Sequence, residues 1–169
     1  MDTQFYFNFF GILLKNRFLT RNPIPYKYIF ILTNLCQSRC NSCFIWKIYI
    51  DNPALLKDEL KLEEYEKIFQ SIKDRAFWIN FSGGEPFLRK DLEDIILRSA
   101  EIINVLRLIN MPTNGLVPNV IVRRVKRILD NLPEKIHFDI TVSLDSIKRE
   151  KYKENRGLDA VNKFIDCYN

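Results

Sequence analysis

Three of the four cysteines in the chain fall within one short stretch, Cys36-Gln37-Ser38-Arg39-Cys40-Asn41-Ser42-Cys43. Packing gives no reason to place thiols at C-x3-C-x2-C spacing, and a loop this short can turn all of them toward one metal centre. A structural zinc site is closed by four ligands, so three cysteines leave one coordination position empty. On a [4Fe–4S] cluster, whose irons are ordinarily held by Cys thiolates, the same set leaves one iron open to a non-protein ligand. The remaining cysteine, Cys167, lies near the C-terminus in a helix-like stretch and reads as a half-buried free thiol. Its alternative role is fourth ligand of a zinc site.

A second stretch able to do chemistry is Ser82-Gly83-Gly84-Glu85-Pro86. Paired glycines permit positive φ and close backbone approach, and Pro86 stiffens the exit. These would serve any strand-to-helix turn, but a carboxylate held there, Glu85, can accept hydrogen bonds from an ammonium group. Further along the chain, Thr113-Asn114-Gly115, Ser143-Leu144-Asp145 and Arg156-Gly157 offer polar or basic groups at strand and helix ends.

Together these stretches resemble the radical S-adenosylmethionine (radical SAM) superfamily from about residue 28 onward. The cysteine triplet follows a first strand as in that family, residues 82–86 look like its GGEP motif, and 143–145 look like the end of its fourth strand. The resemblance implies that Cys36, Cys40 and Cys43 ligate three irons of a [4Fe–4S] cluster, with SAM chelating the fourth. It implies that Gly83, Gly84, Glu85 and Pro86 hold the SAM amino group and that Asn114 faces the SAM and substrate region. Ser143 and Asp145 would contact the SAM ribose or carboxylate, and Arg156 would pair with the carboxylate. An electron from an external donor would cleave SAM to methionine and a 5′-deoxyadenosyl radical, which abstracts hydrogen from a substrate. The sequence departs from the family where an aromatic residue often precedes the third cysteine: Ser42 stands there, with Phe44 just after it. The run from Asp145 to Arg156 is also about one residue longer than usual.

The elements that must position these groups are legible as alternating strands and helices. Apolar runs at 28–33, 76–81, 105–109 and 136–144 have the composition of buried strands. Helical spacing of apolar residues covers 61–73, 91–103 and 120–132, and a last helix covers 159–167. Residues 47–58 read as a loop broken at Asn52-Pro53. Such alternation implies a parallel sheet with right-handed crossovers, and ligands just beyond strand C-termini are where α/β barrels build active sites. The expected fold is therefore α/β, a partial (β/α) TIM-like barrel with about four βα units. The superfamily core has six, so residues 26–169 read as an incomplete core domain, truncated or split. Its open edge would invite a chain that completes the barrel; the alternative to an active radical SAM protein is a truncated or split core that is non-catalytic without that partner chain. His137, the single histidine, begins a strand and is placed at the barrel end away from the cluster.

Residues 1–25 read as a separate apolar arm or helix, stopped by Asn22-Pro23-Ile24-Pro25. It has neither the basic start nor the cleavage site of a signal peptide. Packing on the outside or bottom of the barrel is the first reading, and weak membrane-surface contact the second. No stretch is apolar enough to span a bilayer. At 169 residues with 47% apolar and 28% charged side chains, the composition is that of an ordinary globular domain with a core. The net charge of +5 comes without a basic stripe carrying interleaved aromatics, so nucleic acid is not an expected partner. Arg123, Arg124, Lys126 and Arg127 read as a solvated helix face. Clustered thiols that serve as metal ligands point to a reducing compartment, the cytoplasm.

Overall fold

The computed structural model describes residues 3–19 and 23–163. Four parallel strands, β1 (Lys27–Thr33), β2 (Trp78–Gly83), β3 (Leu108–Thr113) and β4 (His137–Val142), pair in sequence order β1-β2-β3-β4. Parallel neighbours require crossovers, supplied by α3 (Leu62–Ile72), α4 (Leu92–Ile102) and α5 (Pro118–Asn131), numbered after α1 (Thr3–Leu14) and α2 (Ile45–Asp51). A last described helix, α6 (Arg149–Arg156), follows β4. The sheet is open: among the described residues β1 and β4 each pair on one side. This is the expected partial β/α barrel.

Alternation along the strands separates its two faces. Ile79 and Phe81 of β2 and Ile109 and Met111 of β3 are buried in one core with Phe69 of α3, Ile96 of α4 and Ile128 of α5. The other face is uncovered. There Ile29 and Ile31 remain 62% and 56% exposed, beside Asn80 and Ser82 in the paired register. Asn80 donates to Asn110, whose amide reaches Thr141 Oγ1 at 3.5 Å.

Several boundaries differ from those read in the sequence. Strand β3 runs over 108–113 rather than 105–109, because Asn110 and Pro112 lie on the uncovered face and interrupt the apolar run without ending the strand. Pro112 is tolerated because the pairing with β2 stops at Asn110. Strand β2 likewise starts and ends two residues later than expected. The segment 47–58 is not a loop. It contains most of α2 and a 3-10 turn, Pro53–Asp58, since Pro53 occupies a first helical position where no N–H is needed.

Nor is the basic run of α5 uniformly solvated. Arg124 is buried and donates to the carbonyls of Phe87 (2.9 Å), Arg89 (2.7 Å) and Lys90 (3.1 Å), and it pairs with Glu93. A second buried arginine, Arg89, donates to the carbonyls of Leu32 and Leu60 and pairs with Asp91 at 2.7 Å. Asp91 is thus engaged by Arg89 and makes no side-chain cap to α4. Together the two arginines lock the segment after β2 to the end of β1 and to α5.

Helix α1 continues into a π-helical turn, Lys15–Leu19. Phe5 and Phe9 pack on Phe77 with ring centroids 5.3 and 5.8 Å apart, Phe9 meets Tyr26, and Phe5 meets His137 edge-on. All three partners lie at strand starts, so the arm packs at the bottom of the sheet. His137 sits there too, away from the cysteines. Helical residues resume at 161–163; Phe164, Ile165 and Cys167 of the expected last helix lie outside the described residues.

Candidate active site

The site is assembled at the C-terminal ends of the strands. The exit of β1 and the glycine turn of β2 are fastened together: Gly84 N donates to Thr33 O and Glu85 N to Leu35 O, both at 2.7 Å. Gly83 has φ 134°, a conformation that favours glycine. A Cβ on Gly84 would overlap the Leu35 carbonyl. The paired glycines are therefore required by the close approach of the two strand ends, and that approach seats the base of the cysteine loop.

The far side of the cysteine loop is tied to α6. The backbone N–H groups of Arg39 and Asn41 donate to the carbonyls of Arg156 and Asn155, each at 2.9 Å, and Asn41 Nδ2 donates to Glu154 O at 2.6 Å. The last carbonyls of a helix need such partners. Gly157 closes α6 at φ 68°, and a Cβ there would collide with the backbone and Cβ of Arg39. Trp46 of α2 donates to Cys40 O at 3.3 Å and carries the Arg39 guanidinium over its ring at 4.8 Å.

Held in this way, the three thiols open onto one cavity of about 230 Å³, together with Gly83, Gly84, Asn114, Ser143, Asp145 and Arg156. Asn114 Nδ2 lies 3.7 Å from Cys36 Sγ and Arg156 Nη1 3.8 Å from Cys40 Sγ. Arg156 is also paired with Asp145 at 2.5 Å. Burial pushes the Cys36 thiol up, partly offset by the Ser38 amide. Cys43 is exposed at the cavity mouth.

Of the residues singled out in the sequence, Glu85 and Pro86 are the ones that do not line this cavity. Both are buried. The Glu85 carboxylate lies beneath the floor, where it accepts hydrogen bonds from Thr113 Oγ1 (2.9 Å), Asn114 N (2.8 Å) and Phe87 N (3.2 Å). Burial raises its pKa against the effect of these donors. Its visible work is to fix the end of β3 rather than to face a ligand.

Thr113, Asn41 and Gly157 belong to the site and were not singled out as site residues. Asn41 and Gly157 could have been found from the Asn inside the cysteine triplet and from the Gly after a basic residue at a helix end. Gln37 and Ser38, two further residues of the cysteine loop, carry no sequence signal beyond lying between the cysteines. Gln37 Nε2 donates to Asn114 Oδ1 at 3.3 Å. Gln37 Oε1 and Ser38 Oγ are buried without a hydrogen-bond partner among the described residues.

These features fit a multi-iron cluster. Each iron of a cluster takes its own thiolate, so the thiols need to surround a cavity, which they do. The unpartnered Ser38 hydroxyl on the same wall is a polar group that a bound ligand would satisfy.

Comparison with known proteins gives a consistent result. Residues 30–168 match the family model of the Radical SAM superfamily. The GTP 3′,8-cyclase of Clostridium botulinum (strain Okra / Type B1) is 30% identical over 137 residues, covering 78% of this chain and 39% of that protein. The GTP 3′,8-cyclase of Aquifex aeolicus is 37% identical over 123 residues, 71% of this chain and 35% of that one. The chain thus spans less than half the length of the curated relatives it matches. Among solved structures, Streptococcus suis SuiB bound to S-adenosylmethionine superposes with a TM-score of 0.65 at 16% identity, over 85% of this chain and 30% of that one. At that identity the likeness concerns the fold.

Proposed function

This chain belongs to the radical SAM superfamily, and from that membership we propose that it is the cofactor-bearing part of a radical SAM enzyme. Members of the superfamily bind a [4Fe–4S] cluster and SAM. In this chain Cys36, Cys40 and Cys43 would hold the cluster, leaving one iron for SAM. The observation that carries the reading is the single cavity onto which all three thiols, the Gly83-Gly84 backbone, Asn114 and Arg156 open. When bound, the two cofactors supply a 5′-deoxyadenosyl radical that takes a hydrogen atom from a substrate, given an electron from an external donor.

The protein's own part is to orient and to shield. Asn114 and Arg156 aim N–H groups at the sulfurs of Cys36 and Cys40. Asp145 holds the Arg156 guanidinium in place. Gly83 and Gly84 present backbone without side chains, leaving space for the amino group of SAM, while Ser143 and Asp145 offer polar contacts for its ribose or carboxylate. Glu85 supports these contacts from below, through Asn114 and Thr113.

A second reading is favoured by the open sheet, whose uncovered face exposes Ile29 and Ile31. On it, cofactors bind but substrate chemistry waits for a further segment or partner chain that completes the barrel. One experiment separates the two. The protein is reconstituted anaerobically with iron and sulfide, reduced, and examined by electron paramagnetic resonance with and without SAM, and 5′-deoxyadenosine is then quantified. A [4Fe–4S] signal that changes with SAM and is lost in Cys40→Ala supports cofactor binding. Formation of 5′-deoxyadenosine supports the first reading, and its absence beside a SAM-responsive cluster supports the second. A cluster indifferent to SAM refutes both. GTP, named in the curated relatives, is the first substrate to assay.

A further inference from the structure

Helix α1 is apolar on both sides but is covered on one. Its inward side carries Phe5 and Phe9, packed against Phe77, Tyr26 and His137. Its orientation is fixed by Asn16, whose side chain donates to Ile24 O at 2.9 Å and accepts from Ile24 N at 3.2 Å. The outward side repeats at helical spacing: Phe7, Phe10 and Leu14 are 76%, 64% and 44% exposed, and Phe18 and Leu19 beyond them are 74% and 79% exposed. A helix that is hydrophobic all round is ordinarily buried all round, and an aromatic patch of this kind on a chain surface marks an interaction site.

The charges around it indicate what covers it. Between residues 3 and 27 there is no Asp or Glu, while Lys15, Arg17, Arg21 and Lys27 are cationic. Lys15 and Arg17 interrupt the exposed apolar stripe and are themselves exposed. Aromatic and aliphatic side chains bordered by exposed cations match the boundary of a bilayer that carries anionic headgroups. The helix and its π turn are too short to span one.

We propose that residues 3–19 dock this protein on anionic lipid surfaces, with Phe7, Phe10, Leu14 and Phe18 entering the headgroup–acyl boundary and Lys15 and Arg17 meeting lipid phosphates. Because α1 covers the strand starts and the cysteine cavity lies at the strand ends, the docked protein keeps its cavity open to water. The inference stands apart from the cofactor chemistry.

The test is co-sedimentation of the full chain with vesicles of phosphatidylcholine alone or of phosphatidylcholine and phosphatidylglycerol in equal parts, with sedimentation velocity run in parallel without lipid. Wild-type protein is expected to pellet with the anionic vesicles and not with the neutral ones, and added salt should weaken binding. The variant F7S/F10S/F18S is expected to bind about a hundredfold more weakly, and K15Q/R17Q roughly thirtyfold more weakly at low salt. Both should keep the circular dichroism of the parent, since the replaced side chains are exposed. Equal pelleting with neutral and anionic vesicles would overturn the proposal. So would wild-type protein that ignores vesicles but self-associates in solution through the same phenylalanines, because the covering partner would then be a second copy of the chain.

Discussion

Glu85 Oε2 accepts the backbone N–H of Asn114 at 2.8 Å, and Asn114 Nδ2 in turn lies 3.7 Å from Cys36 Sγ. The carboxylate of the glycine turn thus acts on the cysteine loop through the end of β3. Glu85→Gln would turn an amide N–H₂ toward a donor, and Glu85→Ala would leave Thr113 Oγ1, Asn114 N and Phe87 N without their acceptor. Each buried donor left unsatisfied costs about 1–3 kcal/mol. Both variants are expected to lower the denaturant midpoint of the cofactor-free protein, Ala more than Gln. A Glu85 that served solely to contact SAM would leave that midpoint unchanged and alter SAM binding alone.

Gly157 and Arg39 are the other joint on which the cysteine loop depends. Gly157→Ala puts a side chain into the left-handed region, at a cost of about 1–2 kcal/mol, and drives its Cβ against Arg39. The loop must then lift from α6. Iron and sulfide content after anaerobic reconstitution should fall well below that of the parent. Gly11→Ala is the control: its Cβ would meet nothing within 4 Å, and it should leave cluster content unchanged.

Much of this arrangement is legible in the sequence because it is local. The C-x3-C-x2-C loop, the Gly83-Gly84 turn and Ser143 to Asp145 each follow an apolar run, and placing the runs places the groups at one end of a sheet. What escapes is long-range. Arg124 reads as a surface charge because nothing nearby in the chain reveals that the backbone carbonyls of Phe87, Arg89 and Lys90 converge on it. Glu85 has the residue type of a ligand contact, and what decides otherwise is the approach of Thr113 and Asn114, 28 and 29 residues away. The end of β3 escapes for a different reason: Asn110 and Pro112 face an uncovered surface, so the continuous apolar run is broken there.

Arg124 and Glu93 should set part of the acid stability. Burial alone would raise the Glu93 pKa, but the Arg124 guanidinium outweighs it and holds the carboxyl below its ordinary value. A depressed folded-state pKa means that the unfolded chain binds the proton more readily, so stability rises with pH through that interval. The contribution is present above the ordinary carboxylate range and is lost as pH falls through the folded value. Glu93→Gln should flatten this acid limb in pH-dependent urea unfolding. Arg124→Met strands a buried carboxylate and is expected to cost on the order of 3 kcal/mol at neutral pH; an unchanged acid limb in both variants would contradict the pairing.

Asn114 and Arg156 both direct N–H groups at cysteine sulfur, at 3.7 and 3.8 Å, and hydrogen bonds to sulfur are among the factors that set iron–sulfur potentials. Such donors stabilise the more negative, reduced cluster, so removing them should make reduction harder. Asn114→Ala and Arg156→Met are each expected to lower the midpoint potential of the reconstituted cluster in a spectroscopically monitored titration. Arg156→Met should have the larger effect, because it removes a full positive charge as well as a donor. It also releases Asp145 into the cavity as an unpaired anion, which acts in the same direction, and Arg156→Met/Asp145→Asn should recover part of the loss. Potentials unchanged in all three variants would mean that these side chains do not reach the cluster sulfurs.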